Sequence, residues 1–290
     1  MKTLARVAEM QAAAAGLRGL GKRIGLVPTM GALHAAHLSL VRAARQQADV
    51  TVVSLFVNPK QFGPREDFSA YPRDRARDAE LLAREGVEIL FAPAVEEVYP
   101  DGFQTTVSVA RLREPLCGRA RPGHFDGVAT VVLKLFNIVQ PQVAFFGRKD
   151  AQQAVLIQHL VRDLNLAVEV VVCPIVREPD GLALSSRNAY LSPEDRRAAL
   201  VLYRALCGAR ALLEKGERHA ETLAREMRAV IEREPRARID YVEVVDAATL
   251  EPLERLQGRA LIALAVQVGP ARLIDNMLVE ETAARLAFHL

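Results

Sequence analysis

Apolar positions along the first 176 residues fall into short continuous runs that alternate with runs of helical period. Residues 22–28 (KRIGLVP) are a short apolar run ending at proline and predict a strand. Residues 37–48 follow with Leu40, Val41, Ala44 and Ala48 on one helical face. Residues 50–57 (VTVVSLFV) are β-branched and apolar almost throughout, the pattern of a parallel strand buried on both faces. Residues 74–85 predict a charged helix, with Gly86 where a C-terminal cap belongs. Beyond it, residues 87–91, 142–146 and 168–172 read as strands, and 151–164 as a helix. Residues 127–139 predict another helix, with Val128, Val131, Val132, Leu135, Phe136 and Val139 facing inward.

Strands alternating with helices in this way mean βαβ units around a parallel sheet. After Arg177 the composition shifts. Residues 192–216 and 219–234 read as long helices rich in Arg, Ala and Glu, and 239–245 and 260–268 as strands. The fold class predicted is α/β, a parallel-sheet domain over residues 1–176 followed by a smaller α+β domain over 177–290. Ligands on open parallel sheets bind beyond the carboxyl ends of the strands, so the loops there are where chemistry is sought.

Composition narrows the function classes. With 50% hydrophobic and 25% charged residues, disorder is excluded as the main state. The net charge of +3 is too small and too dispersed for nucleic acid or an anionic membrane to be the main partner. No apolar stretch approaches the ~20 residues that span a bilayer. The first ten residues, carrying Lys2, Arg6 and Glu9, do not read as a signal peptide. Cys117, Cys173 and Cys207 form no CxxC pair, which fits a reducing, cytoplasmic setting.

Four segments carry candidate chemistry. The first, PTMGALHAAH at 28–37, joins a strand to a helix, where unpaired backbone N–H groups and the helix dipole favour phosphate. His34 and His37 share a face there and could donate to phosphate oxygens in a phosphoryl-transfer transition state. An isolated HxxH can equally be a pair of surface caps. A zinc reading lacks the i, i+4 spacing and any Cys or acidic ligand nearby. The second segment, VNPKQF at 57–62, follows the most apolar strand. Asn58 and Gln61 could orient a small polar substrate, or Asn-Pro could simply open a turn. The third, FGRKDAQQ at 146–153, again opens a helix after a strand. Lys149 could neutralise phosphate, Asp150 could cap the helix and Gln153 shares the face of Asp150, although a solvated corner would look the same. The fourth, GLALSSRN at 181–188, offers hydroxyls and a guanidinium suited to polyphosphate, or merely the approach to a helix capped by Ser192.

Together these point to a nucleoside triphosphate and a small polar substrate. No Walker loop and no dinucleotide GxGxxG is present, so phosphate handling falls to the histidines, Lys149, Ser185, Ser186 and Arg187.

The run PTMGALHAAH resembles the HxGH nucleotidyl-transfer signature in the form it takes in the pantoate–β-alanine ligase (pantothenate synthetase) family. VNPKQFGPREDFSAYPRD, CGRARPGHFDGVATVVLKLFNIVQP, FGRKDAQQ and DGLALSSRNAYLS are similar to that family's motifs, in its order. The resemblance implies a Rossmann-like nucleotidyltransferase domain over 1–176 and an α+β lid domain over 177–290. It implies ATP-dependent joining of (R)-pantoate to β-alanine through a pantoyl-adenylate, by a homodimer, with Mg²⁺ held mainly by the ATP phosphates rather than by a protein metal site. The ATP site would comprise Met30, Gly31, Ala32, Leu33, His34, Ala35, Ala36 and His37, then Gly147, Arg148, Lys149 and Asp150. Val176, Leu184, Ser185, Ser186 and Arg187 would complete it. His37 would be the proton donor, with His34, Lys149 and Arg187 also catalytic. Gln61, Gln153 and Asn58 would hold pantoate and β-alanine. Three positions depart from the family pattern: Ala36 for Gly, Arg148 for Glu and Leu184 for Met. Two other readings stand beside this one, an HxGH-type nucleotidyltransferase acting on another small acceptor and a nucleotide-binding module without catalysis. The Gln61 and Gln153 pair and the modest basicity favour a small neutral or mono-anionic acceptor.

Overall fold

The continuous apolar runs become a parallel sheet. The computed structural model describes residues 1–64, 66, 68–282 and 285–290; Arg65 and Asp67, within the second motif, and Ala283 and Ala284 lie outside the described residues. The first elements are β1 (Lys2–Leu4), α1 (Val7–Gly19), β2 (Ile24–Thr29), α2 (Ala35–Gln47), β3 (Val50–Leu55) and α3 (Arg75–Arg84). β4 (Ile89–Phe91), α4 (Val95–Val98), α5 (Cys117–Ala120), α6 (His124–Val139), β5 (Val143–Gly147), α7 (Ala151–Asp163) and β6 (Glu169–Cys173) follow. The six strands pair in the order β1-β4-β3-β2-β5-β6, parallel throughout.

All six residues of β3 are buried, as its unbroken run of apolar and small side chains requires. Val27, Val41, Ala44, Val53, Leu82, Val143 and Phe145 form a core on this sheet. The inward set predicted for α6 is buried in full. Gly86 takes a left-handed φ of 75° just past α3, the C-terminal cap expected of it.

Strand order determines where a ligand can sit. The chain builds outward from β2 through β3 to β4, then returns to the other side of β2 for β5 and β6. The order therefore reverses between β2 and β5, and the crevice beyond their carboxyl ends is the switch point at which open α/β sheets bind ligands. Thr29 ends β2 and Gly147 ends β5, so the first motif and the start of the third open at this point.

The second sheet is antiparallel, β10-β9-β8-β7, from β7 (Ala237–Asp246), β8 (Arg259–Val268), β9 (Ala271–Glu281) and β10 (Leu286–His289). α8 (Pro193–Ala198), α9 (Leu200–Glu214) and α10 (Ala220–Glu232) precede it. Leu202, Leu206, Leu223 and Met227 share a core with Ile262, Leu264 and Met277. Ser192 caps α8 by accepting from the Asp195 amide, with Pro193 in the first turn, as predicted. The long helix expected over 192–216 is interrupted at Ala199, which divides α8 from α9. β1, α1, α4, α5, β9 and β10 are additions to the elements the pattern predicted.

Grouped by contacts, the chain forms two units. One comprises Met1–Arg113, Arg121–Arg148 and Leu156–Cys173; the other comprises Glu114–Ala120, Lys149–Val155 and Pro174–Leu290.

Candidate active site

Beyond β2 the chain makes a sharp reversal. Gly31 and Ala32 take φ of 87° and 52°, two left-handed residues in succession. For alanine that conformation costs roughly 1–2 kcal/mol. What holds it is Asp78 on α3, buried to 3% exposure, whose two oxygens accept the Ala32 and Leu33 amides at 2.9 Å each. The Thr29 hydroxyl accepts the Gly31 amide at 3.3 Å and donates to the Ser54 carbonyl at 2.7 Å. The unpaired amides expected in this loop are thus already bonded at 31, 32 and 33, because α3 delivers a carboxylate to them. The start of α2, with its two histidines, lies one step on.

His34 is the N-cap residue of α2, in extended conformation, and His37 the third residue of the helix. Their rings lie 4.1 Å apart, centre to centre. The His34 amide makes a long contact, 3.4 Å, to His37 Nδ1. Nδ1 is therefore the acceptor, and neutral His37 carries its proton on Nε2 as a donor. No acidic residue occupies the first turn of α2, so the helix end keeps its partial positive charge. Ala36 lies inside the helix, where alanine is well suited in place of the glycine of the family pattern.

Beyond β3, the 3-10 turn Pro59–Gln61 presents the second set. Asn58 is 1% exposed and fully engaged. Its Oδ1 accepts the Lys60 amide at 3.3 Å and the Tyr99 hydroxyl at 2.8 Å. Its Nδ2 donates to the Gly127 carbonyl at 3.1 Å and to Gln61 Oε1 at 3.0 Å. A backbone N–H can only donate and a carbonyl can only accept, so this amide cannot be flipped. Gln61 is held the same way: its Oε1 faces Asn58, and its Nε2 points to the sulfur of Met30 at 3.0 Å. Asn58 thus opens the turn and fixes the side-chain amide of Gln61. Burial pushes the Tyr99 phenol far above its ordinary range, so it remains a donor.

The remaining predicted residues fall at the end of β5 and in the second unit. Gly147 ends β5, and Arg148 is the last residue of that segment of the first unit. Helical geometry begins with the 3-10 turn Arg148–Asp150, which runs directly into α7, so Asp150 lies within a turn rather than before a free helix start. Lys149 Nζ lies 3.9 Å from Asp150 Oδ1, and Gln153 is half-buried on α7. Val176 and Leu184 are brought together: the Leu184 amide donates to the Val176 carbonyl at 3.0 Å. Arg177 and Ala183 bridge within this narrow hairpin. The hairpin delivers Ser185, Ser186 and Arg187 to a 3-10 turn that Ser185 caps by accepting the Arg187 amide at 3.3 Å.

Sequence reasoning missed the groups that support these residues. Asp78 is one; it shares the apolar face of α3 with Leu82, four positions on, and a carboxylate on such a face is the one available signal. Asp275 and Asn276 on β9 are others. Asp275 takes Arg177 in a bidentate pair at 2.7 and 2.9 Å, and Asn276 donates to the Lys149 carbonyl at 3.0 Å. Burial pushes the Asp275 carboxyl above its ordinary range even with Arg177 against it.

Among the described residues, no three His, Cys, Asp or Glu side chains gather into a metal cage, and no helix is long and apolar enough to cross a membrane. A family model described as pantoate-beta-alanine ligase matches residues 2–278. The pantothenate synthetase of Moorella thermoacetica is 58% identical over 280 residues, 97% of this chain and 99% of that one. Pantothenate synthetase from Thermus thermophilus superposes with a TM-score of 0.90 at 49% identity, covering 95% of this chain and 98% of that. The pantoate-beta-alanine ligase of Francisella tularensis, solved with beta-gamma ATP and beta-alanine, gives a TM-score of 0.78 at 34% identity over 96% of this chain and 97% of that. A parallel sheet with paired histidines at its switch point, matched in sequence and fold along nearly its whole length, places the chain in the pantoate–β-alanine ligase family.

Proposed function

We propose that this chain condenses (R)-pantoate with β-alanine, using ATP and releasing AMP and diphosphate, and so makes pantothenate for coenzyme A. The observation that carries this reading is one juxtaposition. A helix start bearing two imidazoles and a buried amide with its N–H end toward Met30 occupy neighbouring strand ends, touching through Met30 and Gln61.

The chemistry needs such an arrangement. A pantoate carboxylate oxygen attacks the α-phosphorus of ATP, and the bond to the diphosphate leaving group breaks. Negative charge grows on phosphate oxygens, where preorganised donors are worth most. His37 Nε2–H and His34 are such donors, backed by the α2 dipole. In this reading residues 30–37, 147–150, 176 and 184–187 form the ATP site, with Lys149, Ser185, Ser186 and Arg187 on the phosphates. Gln61 donates to pantoate, Gln153 holds it from α7, and Asn58 fixes Gln61. Mg²⁺ held by the ATP phosphates would supply further charge neutralisation there. The β-alanine amine then attacks the activated carbonyl, and AMP leaves. Water must be kept from the mixed anhydride, a task this reading gives to the 177–290 part as a lid. The chain acts as a homodimer in the cytoplasm.

The decisive test is pantoate-dependent exchange of labelled diphosphate into ATP, followed by product analysis with β-alanine present. Exchange, AMP and an amide product are expected, and His37→Ala should slow the exchange by about 100-fold. ATP binding without exchange would leave only a nucleotide-binding module. A nucleotidylated acceptor as final product would point to another transferase.

A further inference from the structure

The side-chain amide of Gln61 is fixed by Asn58, but its backbone needs a second support. Gln61 closes a single 3-10 turn, and its carbonyl leaves that turn toward the start of α6. His124 is the first residue of α6, and its Nδ1 lies 2.8 Å from the Gln61 carbonyl oxygen. A carbonyl only accepts, so Nδ1 carries the proton and Nε2 a lone pair. That lone pair faces Arg121 Nη1 at 2.9 Å, which donates to it. Arg121 Nη2 also reaches the Gln61 carbonyl, at 3.3 Å. The other edge of the guanidinium is locked onto Glu66, Nε to Oε1 at 2.7 Å and Nη2 to Oε2 at 2.6 Å. Both partners of this ion pair are largely shielded, at 16% and 25% side-chain exposure, so the fork is rigid and weakly screened.

The geometry points to Glu66, Arg121 and His124 as a positioning set for the known reaction: they aim Gln61 at pantoate by clamping its backbone carbonyl. The inference rests on the reading that Gln61 holds pantoate. Glu66 fixes the Arg121 fork, Arg121 fixes the His124 tautomer, and His124 holds the turn. None of the three is among the residues assigned to substrate. A shift of about 1 Å at a substrate-positioning group can cost as much as 100-fold in rate, so an indirect support of this kind carries kinetic weight.

The test compares two replacements of His124 in the full-length enzyme. His124→Phe keeps the ring volume and loses the donor. His124→Asn loses the ring but places an N–H where Nδ1 stands. If the donor matters, Phe should raise the pantoate KM about tenfold while Asn stays within about threefold of the parent, with the ATP KM little changed in both. If His124 only packs, the order reverses and Phe is the milder change; that result overturns the inference. Gln61→Ala closes a double-mutant cycle. Coupled residues are non-additive, so His124→Phe should add little to Gln61→Ala, and full additivity would also overturn the inference. An unchanged pantoate KM in Gln61→Ala alone would instead overturn the placement of pantoate on Gln61, and the inference with it. A raised KM in Gln61→Ala beside a silent His124→Phe would overturn the inference alone.

Discussion

Asp78 is a buried carboxylate whose two oxygens are satisfied by two backbone amides. Asp78→Asn keeps its shape and turns one acceptor into a donor facing an N–H. It should destabilise the fold by about 1–3 kcal/mol in urea titrations and weaken ATP binding measured by calorimetry. A variant as stable and as tight as the parent would show that the 31–33 turn holds itself. Glu66 supports a pH prediction. Burial works to raise its carboxyl, and the Arg121 guanidinium more than offsets this by hydrogen bonds and charge, leaving the pKa below its ordinary 4.5. A depressed carboxyl contributes stability above its unfolded pKa and loses it as pH falls through the folded one. The melting temperature of the parent should therefore drop more steeply below about pH 4.5 than that of Glu66→Gln. Equal slopes would contradict this. At this scale the sequence displayed the candidate site residues, because they sit in runs of local character. Their supports were hidden by distance: Asp78 is 46 positions from Ala32, Asp275 is 98 from Arg177 and Asn276 is 127 from Lys149.

Between elements, α6 packs tightly against the 59–61 turn. A Cβ at Gly127 would lie 2.2 Å from the Lys60 carbonyl oxygen and 2.7 Å from the Gln61 nitrogen, both backbone atoms that cannot rotate away. Gly127→Ala should push turn and helix apart, destabilise by about 1–3 kcal/mol and raise the pantoate KM several-fold with ATP affinity kept. Denaturant titration and steady-state kinetics read both effects. Neutral behaviour in either would mean the turn has slack. Elements buried on both sides were legible. β3 and α6 announce themselves by apolar runs that no other structure explains. α1 did not, since the repeated alanines of VAEMQAAAAGLRG leave little contrast between its faces. β9 was obscured by Asp275 and Asn276, polar residues buried mid-strand because they bond to Arg177 and to Lys149.

Across the whole molecule, the chain passes repeatedly between its two units, and two short segments belong with a unit whose bulk begins much later in sequence. Residues 114–120 and 149–155 bond to partners beyond residue 240: Arg119 with Glu243, Cys117 with Tyr241, and the Lys149 carbonyl with Asn276. A fragment ending at Val176 would carry both segments without those partners. It should melt in a broad transition and exchange amide protons quickly at 114–120 and 149–155, as read by circular dichroism and hydrogen exchange. A sharp, fully cooperative melt would show that the sheet tolerates their loss. Linear composition cannot display such interleaving, because it is a property of which distant segments pack together.

The fixed amide of Asn58 has a practical corollary for chemists. Two backbone groups and a phenol dictate that the oxygen end of Gln61 faces Asn58 and the N–H end faces away from it. On the proposed placement of pantoate at Gln61, competitors for pantoate should bring a lone pair to that N–H, since two N–H groups pointed at each other leave both without the water they gave up.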